Sequence, residues 1–571
     1  MVKSIMWKPY GKGFARISGP KAIRTITPAL FMYSKKRNHF TALCWAIIWM
    51  IGLAGCAQQS SPSGGEKDLT PPKVARQVPE NLTTNFKGKI VELDFDEYIN
   101  IDNLNQQLLI TPAIEGTFDF KTYPKGVRIT FEKDFRPNTT YTLNFRNAFK
   151  DVTERNPARN VKLVFSTGTQ LDSLRLQGTV KELLTDRPVY DALVGLYQVS
   201  DTLKFSKNKP YYLTKTDSSG RFNLENMAPG RYWLAALKDV NNNLLYNTEK
   251  EAIAFHPNPI TIPGFTDSPI LKITNADQSP QRTPKTLATS RTFSLIYPRG
   301  ITSVKVKFAG DSLPYALIES NQIRFYNTIN STDTLRASVT VQDSLGRNFT
   351  SDQKIRFREK GKRDADTRES LEVKQTPKSG EDIDEVFKMQ MVFNKPITRF
   401  NPLLVRIQED TIRDVNFTAN DFEWNAYRTE FKIEKELKFK RDVRSLFPKG
   451  TFISIEEDTV QAVKNLNPLR DPEKYGTISG EVRNVQSNYM VELLSAADFK
   501  VIRSIPNKSP YTFTAVPPGT YKLRLILDLN KNGKWDAGNP DEFIPPEPVI
   551  VFPNDIKLKA NFELLGNDFS L

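Results

Sequence analysis

The sequence predicts an all-β protein built from several β-sandwiches in tandem. Short runs in which apolar and polar residues alternate are rich in Val, Ile, Phe, Tyr and Thr, as expected of half-buried strands; examples are residues 89–95, 126–132, 140–145 and 161–167. Proline, asparagine, aspartate and glycine separate these runs, which is typical of turns. Few windows longer than ten residues have helical periodicity. At about 100–200 residues per domain, the 571-residue chain is expected to hold about three to six domains.

Composition and charge narrow the class of protein. Hydrophobic residues make up 39% of the chain and aromatic residues 11%, which is too much for a disordered chain. The formal charge of +15 is concentrated in residues 1–55, which hold nine Lys or Arg and no Asp or Glu. The remainder has 71 basic and 65 acidic residues, a net charge of +6 without a dense basic stripe. We therefore expect no nucleic-acid partner.

The N-terminus has the features of an export signal. Residues 35–37 are basic, and residues 41–53 form an apolar run that is shorter than the ~20 residues of a membrane span. Residues 1–31 are basic and irregular, and they precede Met32, which begins a signal peptide of normal form. Either Met32 is the true start or the basic region is unusually long.

The apolar run ends in Leu-Ala-Gly-Cys at residues 53–56, which resembles the lipobox of bacterial lipoproteins. The resemblance implies that residues 1–55 are a signal peptide, that Cys56 receives a diacylglycerol on its sulfur, and that its new amine is acylated, for example with palmitate. More than one acyl chain gives stable membrane attachment. The alternative is an uncleaved anchor helix in which Cys56 has no role.

Residues 56–69 are rich in Gln, Ser, Gly and Pro and predict a flexible tether. Ala57 stands where an Asp would favour the inner membrane, so the lipoprotein resemblance implies the outer membrane. Because no charge follows Cys56 directly, the periplasmic side is favoured over the cell surface. The two cysteines, Cys44 and Cys56, are both N-terminal, so the body is expected to have no internal disulfide.

Residues 70–168 resemble the bacterial Ig-like domain of surface-layer and Bacteroidetes surface proteins. The family pattern has a Pro-Pro entry, a first strand that ends in Phe, a Pro-x-Thr-x-Tyr step and a closing Phe-x-Thr. The matching residues are Pro71, Pro72, Pro79, Asn81, Phe95, Asp96, Pro137, Thr139, Tyr141, Phe165 and Thr167.

Two further units have weaker signals. Residues 370–460 are a degenerate copy of the Ig-like unit, in which 393–397 (FNKPI) parallels 95–99 (FDEYI). Residues 285–357 predict an Ig-like sandwich on strand pattern alone, and 360–370 reads as a linker. Residues 441–450 predict a short helix at most.

A sharper repeat relates residues 172–275 to residues 474–571. GRFNLENMAPGRYWLAALKDVNNNLLYN at 220–247 aligns with SPYTFTAVPPGTYKLRLILDLNKNGKWD at 509–536, and LQGTV at 176–180 aligns with ISGEV at 478–482. Both units resemble the carboxypeptidase-regulatory, or prealbumin-like, β-sandwich. The Pro-Gly pairs at 229–230 and 518–519 are interpreted as tight turns, with glycine at positive φ.

The sequence offers little catalytic chemistry, so we expect no enzyme. His256 is the one histidine that follows Cys56, and it lies among prolines, which indicates a surface loop. The common hydrolase, zinc and nucleotide motifs are absent from the sequence. The carboxylate pairs Asp94/Asp96 and Asp541/Glu542 are ordinary on a strand-and-turn scaffold.

One loop has the composition of a calcium site. Counting from Asp528, the ligand positions of an EF-type loop are Asp528, Asn530, Asn532, the Lys534 carbonyl and Asp536, with Gly533 at the turn. Position 12 is Asn539 rather than Glu, although Asp541 and Glu542 follow. Affinity would then be weak, about 10⁻⁴–10⁻³ M.

The alternative is a hairpin whose Asn and Gly residues form turns without metal. A poorer candidate is the equivalent loop of Asp239, Asn241 and Asn243, where Leu244 replaces the glycine. No cofactor is required on this interpretation, and structural Ca²⁺ is the one candidate.

The sequence thus favours a lipid-anchored protein of the bacterial envelope that acts as a non-enzymatic structural or binding module. Its expected partners are the membrane and envelope proteins or glycans, and five sandwiches in a row would form a projecting rod. One rival hypothesis is a carbohydrate-binding or polysaccharide-uptake lipoprotein, and a second is an enzyme accessory domain. The three tryptophans after Cys56, Trp233, Trp424 and Trp535, lie in different units, which argues against a shared aromatic platform.

Overall fold

The computed structural model describes residues 67–359, 369–409, 417–437 and 441–571. The predicted signal peptide, Cys56, most of the tether and most of the linker at 360–370 lie outside these residues. The predicted all-β class is confirmed, since strands dominate the element order throughout. Within the described ranges, no helix has the length and apolar character needed to cross a bilayer. The compact unit Leu69–Leu571 contains five sandwiches, numbered here in chain order.

The first sandwich consists of three sheets around an aromatic core. Its sheets are β1-β2-β6-β5, β3-β8 and β4-β7-β9. The elements are β1 (Val74–Val78), β2 (Ile90–Phe95), β3 (Ile99–Ile101), helix α1 (Leu104–Gln107), β4 (Leu109–Thr111), β5 (Phe118–Tyr123), β6 (Gly126–Phe131), β7 (Thr140–Asn144), β8 (Phe149–Asp151) and β9 (Lys162–Ser166). Alternate residues point inward and include Leu93, Tyr141, Leu143 and Phe165.

The second sandwich is built on an eight-stranded sheet, in which seven strands follow the order β12-β11-β14-β15-β17-β10-β13 and β16 pairs with β14. Strands β10 and β17 run parallel, and the other pairs are antiparallel. The strands are β10 (Leu174–Glu182), β11 (Leu193–Gln198), β12 (Tyr212–Lys215), β13 (Arg221–Met227), β14 (Gly230–Leu237), β15 (Ala252–Phe255), β16 (Ile260–Ile262) and β17 (Ile270–Asn275).

The third sandwich pairs a four-stranded sheet, β18-β19-β22-β21, with a three-stranded sheet, β20-β23-β24. Its strands are β18 (Lys285–Ala288), β19 (Thr292–Ile296), β20 (Ile301–Phe308), β21 (Tyr315–Ile318), β22 (Gln322–Tyr326), β23 (Leu335–Asp343) and β24 (Asn348–Ile355). The inward positions of both sheets form one core that includes Leu295, Phe325 and Val339.

The fourth sandwich repeats the topology of the first, with sheets β25-β26-β30-β29, β27-β32 and β28-β31-β33. Its strands are β25 (Val373–Thr376), β26 (Val386–Phe393), β27 (Ile397–Phe400), β28 (Arg406–Gln408), β29 (Phe422–Trp424), β30 (Glu430–Glu436), β31 (Val443–Phe447), β32 (Phe452–Ser454) and β33 (Val463–Asn467), with 3₁₀ helices at Pro402–Leu404 and Ala419–Asp421.

Two sequence interpretations of the fourth sandwich need correction. The short helix predicted at 441–450 is instead strand β31, because Val443 and Phe447 alternate inward while Arg444 points outward. The sandwich also extends past residue 460, since β33 pairs with β31. Asn465 and Asn467 occupy buried positions of β33, so its sequence lacks the apolar alternation that marks a strand.

The fifth sandwich has sheets β38-β34-β42, β35-β43 and β37-β36-β39-β40, with β41 paired to β39. Its strands are β34 (Gly476–Gly480), β35 (Val482–Arg483), β36 (Asn488–Ser495), β37 (Val501–Pro506), β38 (Tyr511–Val516), β39 (Gly519–Asp528), β40 (Val549–Val551), β41 (Ile556–Leu558), β42 (Glu563–Leu564) and β43 (Phe569–Ser570). The 3₁₀ helices Pro472–Lys474 and Pro540–Glu542 complete it.

The Pro-Gly pairs do not adopt the conformation that the sequence suggested. Neither Gly230 nor Gly519 has a positive φ. A Cβ on Gly230 would instead lie 2.7 Å from the Tyr232 hydroxyl. That hydroxyl donates to the Ala228 carbonyl, as the Tyr521 hydroxyl does to Pro517. Glycine is therefore required because the ring of the following tyrosine folds back across it.

The second and fifth sandwiches are in contact, so the five units do not extend as the expected linear row. Phe543 of the fifth sandwich stacks on Trp233 of the second, with ring centroids 4.1 Å apart. Consecutive sandwiches are also joined: Arg299 donates to Asp277 at 2.6 Å between the second and third, and Tyr475 donates to Asp382 at 2.6 Å between the fourth and fifth.

Candidate functional site

The two Asp/Asn loops occupy equivalent places in the second and fifth sandwiches. Asp528 is the last residue of β39, and the loop that follows leads to β40. Asp239 lies two residues after β14, and its loop leads to β15. In both sandwiches these strands are antiparallel neighbours, so each loop connects paired strands.

The Asp528 loop is closed by hydrogen bonds from its own backbone. The Asp528 carboxylate is buried and accepts from the Asn532 N–H at 3.0 Å and the Gly533 N–H at 2.9 Å. The Asn530 and Asn532 side-chain amides both donate to Oδ2 of Asp536, at 2.5 and 2.7 Å. The Asn532 side-chain oxygen accepts from the Lys534 N–H. The structure therefore brings all five predicted residues into one cluster.

A glutamate that the sequence reading missed completes this cluster. Glu547 is buried and accepts from the N–H groups of Leu529 and Asp536 at 2.7 and 3.0 Å, one on each carboxylate oxygen. Its backbone carbonyl accepts from the Trp535 indole N–H at 3.1 Å. Glu547 follows Asp536 by eleven positions, beyond the spacing of an EF-type loop, whereas Asp541 and Glu542 lie in a 3₁₀ helix.

The Asp239 loop has the same bonding pattern. Asp239 accepts from the N–H groups of Asn243 and Leu244, and the Asn241 and Asn243 amides donate to Asn247. Buried Glu251 corresponds to Glu547. Its two oxygens accept from the Val240 and Asn247 N–H groups at 3.0 and 2.9 Å.

Leu244 has φ of 62° where Gly533 has 76°. The left-handed turn is therefore kept without glycine, at a conformational cost to the leucine.

The donor set of the Asp528 loop fits calcium by type. Calcium takes six to eight oxygens, and Asp528, Asn530, Asn532, Asp536 and the Lys534 carbonyl are the oxygens that would hold it. The Asn530 and Asn532 amides would then have to turn their oxygens toward the ion instead of donating to Asp536. Among the described residues, no group of three His, Cys, Asp or Glu side chains could hold a metal ion. The calcium site stays a prediction.

The Asp528 loop also forms part of the contact between the second and fifth sandwiches. Trp535 packs with Leu183 and Val549 in an apolar cluster that both sandwiches supply. Ala537 and Phe543 pack on a second cluster around Phe205 and Phe255. The loop thus presents apolar side chains to a neighbouring sandwich.

The other residues singled out in the sequence have local roles. The His256 ring lies 2.6 Å from the Asn258 carbonyl and packs edge-on against Phe265. Asp96 accepts from the Lys73 N–H, and Asp94 pairs with Arg76, so the two carboxylates are engaged separately.

All three tryptophans are half-buried in packing clusters. Trp233 stacks on Phe543, Trp424 packs against Phe431 in the fourth core, and Trp535 donates to Glu547. This use of the rings weighs against a tryptophan platform for sugars.

Comparison with known proteins supports the fold assignment. Residues 68–167 match the bacterial Ig-like domain family, which confirms the resemblance predicted for residues 70–168. No curated protein matches the chain.

Three solved structures illustrate the structural likeness. Domains 1–6 of surface layer protein SbsC are 11% identical, with 86% of this chain and 68% of that one covered and a TM-score of 0.16. The mixed-linkage glucan utilization protein SGBP-B of Bacteroides ovatus, solved with a heptasaccharide, is 9% identical. The match covers 61% of this chain and 82% of that one, with a TM-score of 0.15. BcpA, the major pilin subunit of Bacillus cereus, is 10% identical. The match covers 70% of this chain and 99% of that one, with a TM-score of 0.12. Overlaps with TM-scores this low carry no argument about function.

Proposed function

We propose that this protein is a lipid-anchored, non-enzymatic protein of the bacterial envelope, in which the sandwiches act as a structural scaffold that binds partners. The lipobox at residues 53–56 and the polar tether after it support the anchor. The bacterial Ig-like match at residues 68–167 supports a structural module. The outer membrane, with the chain on its periplasmic side, is the proposed location.

The observation that carries the scaffold role is the contact between the second and fifth sandwiches. A chain of independent modules needs no contact between units that are distant in sequence, and inter-domain motion is then the default. Here the Phe543 ring lies among Trp233, Phe205 and Phe255. Aromatic pairs of this kind contribute about 0.5–1.5 kcal/mol beyond the area that they bury.

Polar contacts fix the same interface. Arg524 is buried, and its Nε donates to Glu492 at 2.7 Å while Nη1 donates to the Leu184 carbonyl of the second sandwich at 3.0 Å. The Gln278 amide donates to the Gly538 carbonyl at 2.7 Å. Because the arginine is already paired within the fifth sandwich, its bond to Leu184 leaves no charge without a partner. The interface is therefore specific as well as apolar.

Limited proteolysis tests the scaffold role. Phe543→Ala should leave each sandwich folded but weaken the contact by about one or two kcal/mol, so cleavage between sandwiches should accelerate by about fivefold to thirtyfold. Ile544→Ala is the matched control, because Ile544 is 49% exposed beside Phe543. Equal cleavage rates for the two variants and the unchanged protein would mean that the contact does not hold the sandwiches together.

Anchoring and location need separate experiments in cells. Cys56→Ala should abolish incorporation of a labelled fatty acid and release the protein from the membrane fraction. Protease added to intact cells should leave the protein whole until the outer membrane is opened. Cleavage in intact cells would instead place the scaffold on the cell surface.

A second candidate function is carbohydrate binding, which one cleft favours. A polar cleft of about 900 Å³ lies between the first and second sandwiches. Its lining includes Asn147, Arg159, Asn160, Arg221 and Tyr190, a residue that is 56% exposed. Asparagine, arginine and an exposed tyrosine are suitable groups for sugar hydroxyls and an anionic saccharide. A glycan array probed with the whole protein tests this, and loss of signal in Tyr190→Ala would assign binding to the cleft.

A further inference from the structure

The first and fourth sandwiches share a topology, but the outer faces of their three-stranded sheets differ. In the first sandwich, the outer face of β4-β7-β9 is covered by the second sandwich, so nearly all residues of these strands are buried on both faces. In the fourth sandwich, the corresponding sheet β28-β31-β33 has exposed residues at alternate positions. The first sandwich therefore shows how a sheet of this topology docks on a folded neighbour.

The covered face of the first sandwich uses a few specific side chains. Lys162 forms an ion pair with Glu225 of the second sandwich at 3.0 Å. The Thr142 hydroxyl accepts from the Asn226 amide at 2.9 Å, and Leu109 packs in the apolar cluster of the second sandwich. The covered face thus supplies a cation (Lys162), a polar group (Thr142) and an apolar group (Leu109), and each contacts a matching group of the second sandwich.

Strand register places each position of the fourth sheet on a position of the first. Asn144 pairs with Leu109 and Lys162 across β4-β7-β9, and Leu446 pairs with Arg406 and Lys464 across β28-β31-β33. By the same register Lys464 takes the place of Lys162, Arg406 that of Leu109 and Arg444 that of Thr142. The outer face of β28-β31-β33, termed here the basic face, consists of Arg406, Gln408, Arg444, Leu446, Lys464 and Leu466.

The basic face has three cations and no acid. Within the described ranges, Arg406, Arg444 and Lys464 form no ion pair, whereas Lys162 has Glu225. Arg444 lies diagonal to Arg406 and to Lys464 on adjacent strands, a spacing of about 7–8 Å at which like charges disfavour each other. An anionic group placed on this face would relieve that repulsion.

The shape and apolar content of the basic face suit a folded partner. An open depression of about 460 Å³ lies over the sheet there, and Ser379 also lines it. Leu446 lies between Arg406 and Lys464, and Leu466, opposite Arg444 on the edge strand, is 45% exposed. Apolar residues between charges are typical of interfaces in which a hydrophobic centre is surrounded by polar contacts.

We propose that the basic face docks an acidic β-sandwich protein of the envelope, which presents carboxylates to Lys464, Arg406 and Arg444 as Glu225 does to Lys162. This inference rests on the proposed binding role of the scaffold. A second copy of the chain fits poorly, because the same face on both copies would oppose cation to cation. The register match to an interface between two sandwiches favours a folded protein over a lipid or glycan.

Site-specific photocrosslinking in living cells tests the proposal with the full lipid-anchored chain. A benzophenone amino acid replaces Leu466, and Leu345 of the third sandwich, 39% exposed, carries it in the control. The crosslinked peptide of the partner is identified by mass spectrometry. We expect one adduct with a protein whose crosslinked segment is acidic and β-rich, at position 466 and not at 345.

Charge reversal then tests the chemistry. Arg406→Glu, Arg444→Glu and Lys464→Glu together should lower adduct yield at least about tenfold, and the three Gln substitutions should lower it less. The matched control reverses Lys305, Lys307 and Lys354, three exposed cations on the third sandwich beside Asp352. It should leave the yield unchanged. Replacing the partner's crosslinked acids by lysine should restore the adduct with the Glu variant.

Four results would overturn the proposal: no adduct at 466, an adduct with lipid or glycan only, an adduct with a second copy, or a yield insensitive to charge reversal. Thermal melts of both triple variants show whether they fold, and the Gln set keeps the test valid if the Glu set does not. The proteolysis and fatty-acid experiments do not involve the basic face. Loss of the adduct alone would therefore refute the docking inference and leave the proposed scaffold intact.

Discussion

At the scale of single residues, buried charges are used to fix loops and segments, each with several matched partners. Lys395 is fully buried in the fourth sandwich. Its ammonium contacts Glu456 at 2.6 Å and Asp458 at 3.0 Å, and it donates to the Glu369 carbonyl. Asp458 also accepts from the Leu371 N–H at 2.9 Å. The cluster thereby holds the segment that enters the fourth sandwich.

Replacing this lysine should give a pH-dependent loss of stability. Burial raises the pKa of Asp458, but hydrogen bonds from Ser454 and Lys395 outweigh burial and leave the pKa below its ordinary value. The stabilisation from ionised Asp458 is therefore present above pH ~3.9 and is lost as pH falls through the lowered folded pKa. Lys395→Met removes the compensating cation and should destabilise the sandwich by about 3–5 kcal/mol at pH 7.

Without the lysine, the carboxylates of Glu456 and Asp458 lose their shared cation, so acid that neutralises them should partly rescue the variant. The difference in melting temperature from the unchanged protein should narrow between pH 7 and pH 4, as followed by circular dichroism. Lys388→Met, at an ion pair that is 65% exposed on both sides, is the control and should change little at either pH. A difference in melting temperature that stays constant with pH would mean that the buried carboxylates do not cause the loss of stability.

Glu547 is the residue on which the Asp528 loop depends. A glutamine side chain at this position can accept on one side only and would turn its N–H₂ toward a backbone N–H on the other. We expect Glu547→Gln to cost about 1–3 kcal/mol, since a buried donor loses its acceptor. Glu563→Gln, at an exposed position, is the control. Equal melting temperatures for the two variants would mean that the loop does not depend on the buried carboxylate.

Calcium binding is tested on the unchanged protein, with Glu563→Gln as the control. Calorimetric melting with and without millimolar Ca²⁺ should show an upward shift for the unchanged protein and for Glu563→Gln. No shift in the unchanged protein would leave the loop as a turn held by hydrogen bonds alone.

At the scale of elements, the repeated glycines mark the parallel strand pairs of the second and fifth sandwiches. Gly178 lies in β10 where the parallel neighbour β17 begins, and a Cβ there would lie 2.5 Å from the Pro269 carbonyl oxygen. Gly480 has the same place in β34, where a Cβ would meet the Asn567 carbonyl. The glycine of the motifs LQGTV and ISGEV thus allows a second backbone to approach the strand closely.

Gly178→Ala should therefore destabilise the second sandwich by about 1–3 kcal/mol, because backbone must move to admit the methyl group. Gly310→Ala is the control, because no atom lies within 4 Å of its added Cβ. Amide hydrogen exchange can locate the effect: faster exchange in β10 and β17 is expected for Gly178→Ala and not for Gly310→Ala. Equal exchange in both variants would show that the strand accommodates the methyl group.

At the scale of the whole molecule, local signals in the sequence predicted the units but not their contacts. Alternation along β2 and β7 depends on residues two apart, so strands and sandwiches could be recognised. Glu547 could not be recognised as part of the Asp528 loop, because the spacing of this glutamate differs between the two loops. Glu547 follows Asp536 by eleven positions, whereas Glu251 follows Asn247 by four. The contact of Phe543 with Trp233 joins the end of a 3₁₀ helix to strand β14, which is far from it in the chain, and neither residue has a local pattern that would reveal the contact. The prediction of a linear rod was wrong for this reason.

The contact between the second and fifth sandwiches leads to a last prediction for the intact chain. A protease recognition sequence flanked by Gly and Ser, inserted between residues 364 and 365, allows the folded protein to be cut between the third and fourth sandwiches. The two pieces should still elute together in gel filtration, because two separate contacts hold them. One is the Phe543 contact, and the other joins the third and fourth sandwiches through Arg324–Glu369 at 2.7 Å and Tyr315–Tyr427.

Two linked contacts reinforce each other, since loss of one leaves the partners at high effective concentration for the other. Phe543→Ala with Gln278→Ala weakens one contact and should release the pieces after cleavage, whereas Ile544→Ala should not. Separate elution of the pieces from the otherwise unchanged protein would mean that the second and fifth sandwiches do not bind each other. Co-elution that survives the double variant would assign the cohesion to the third and fourth sandwiches alone.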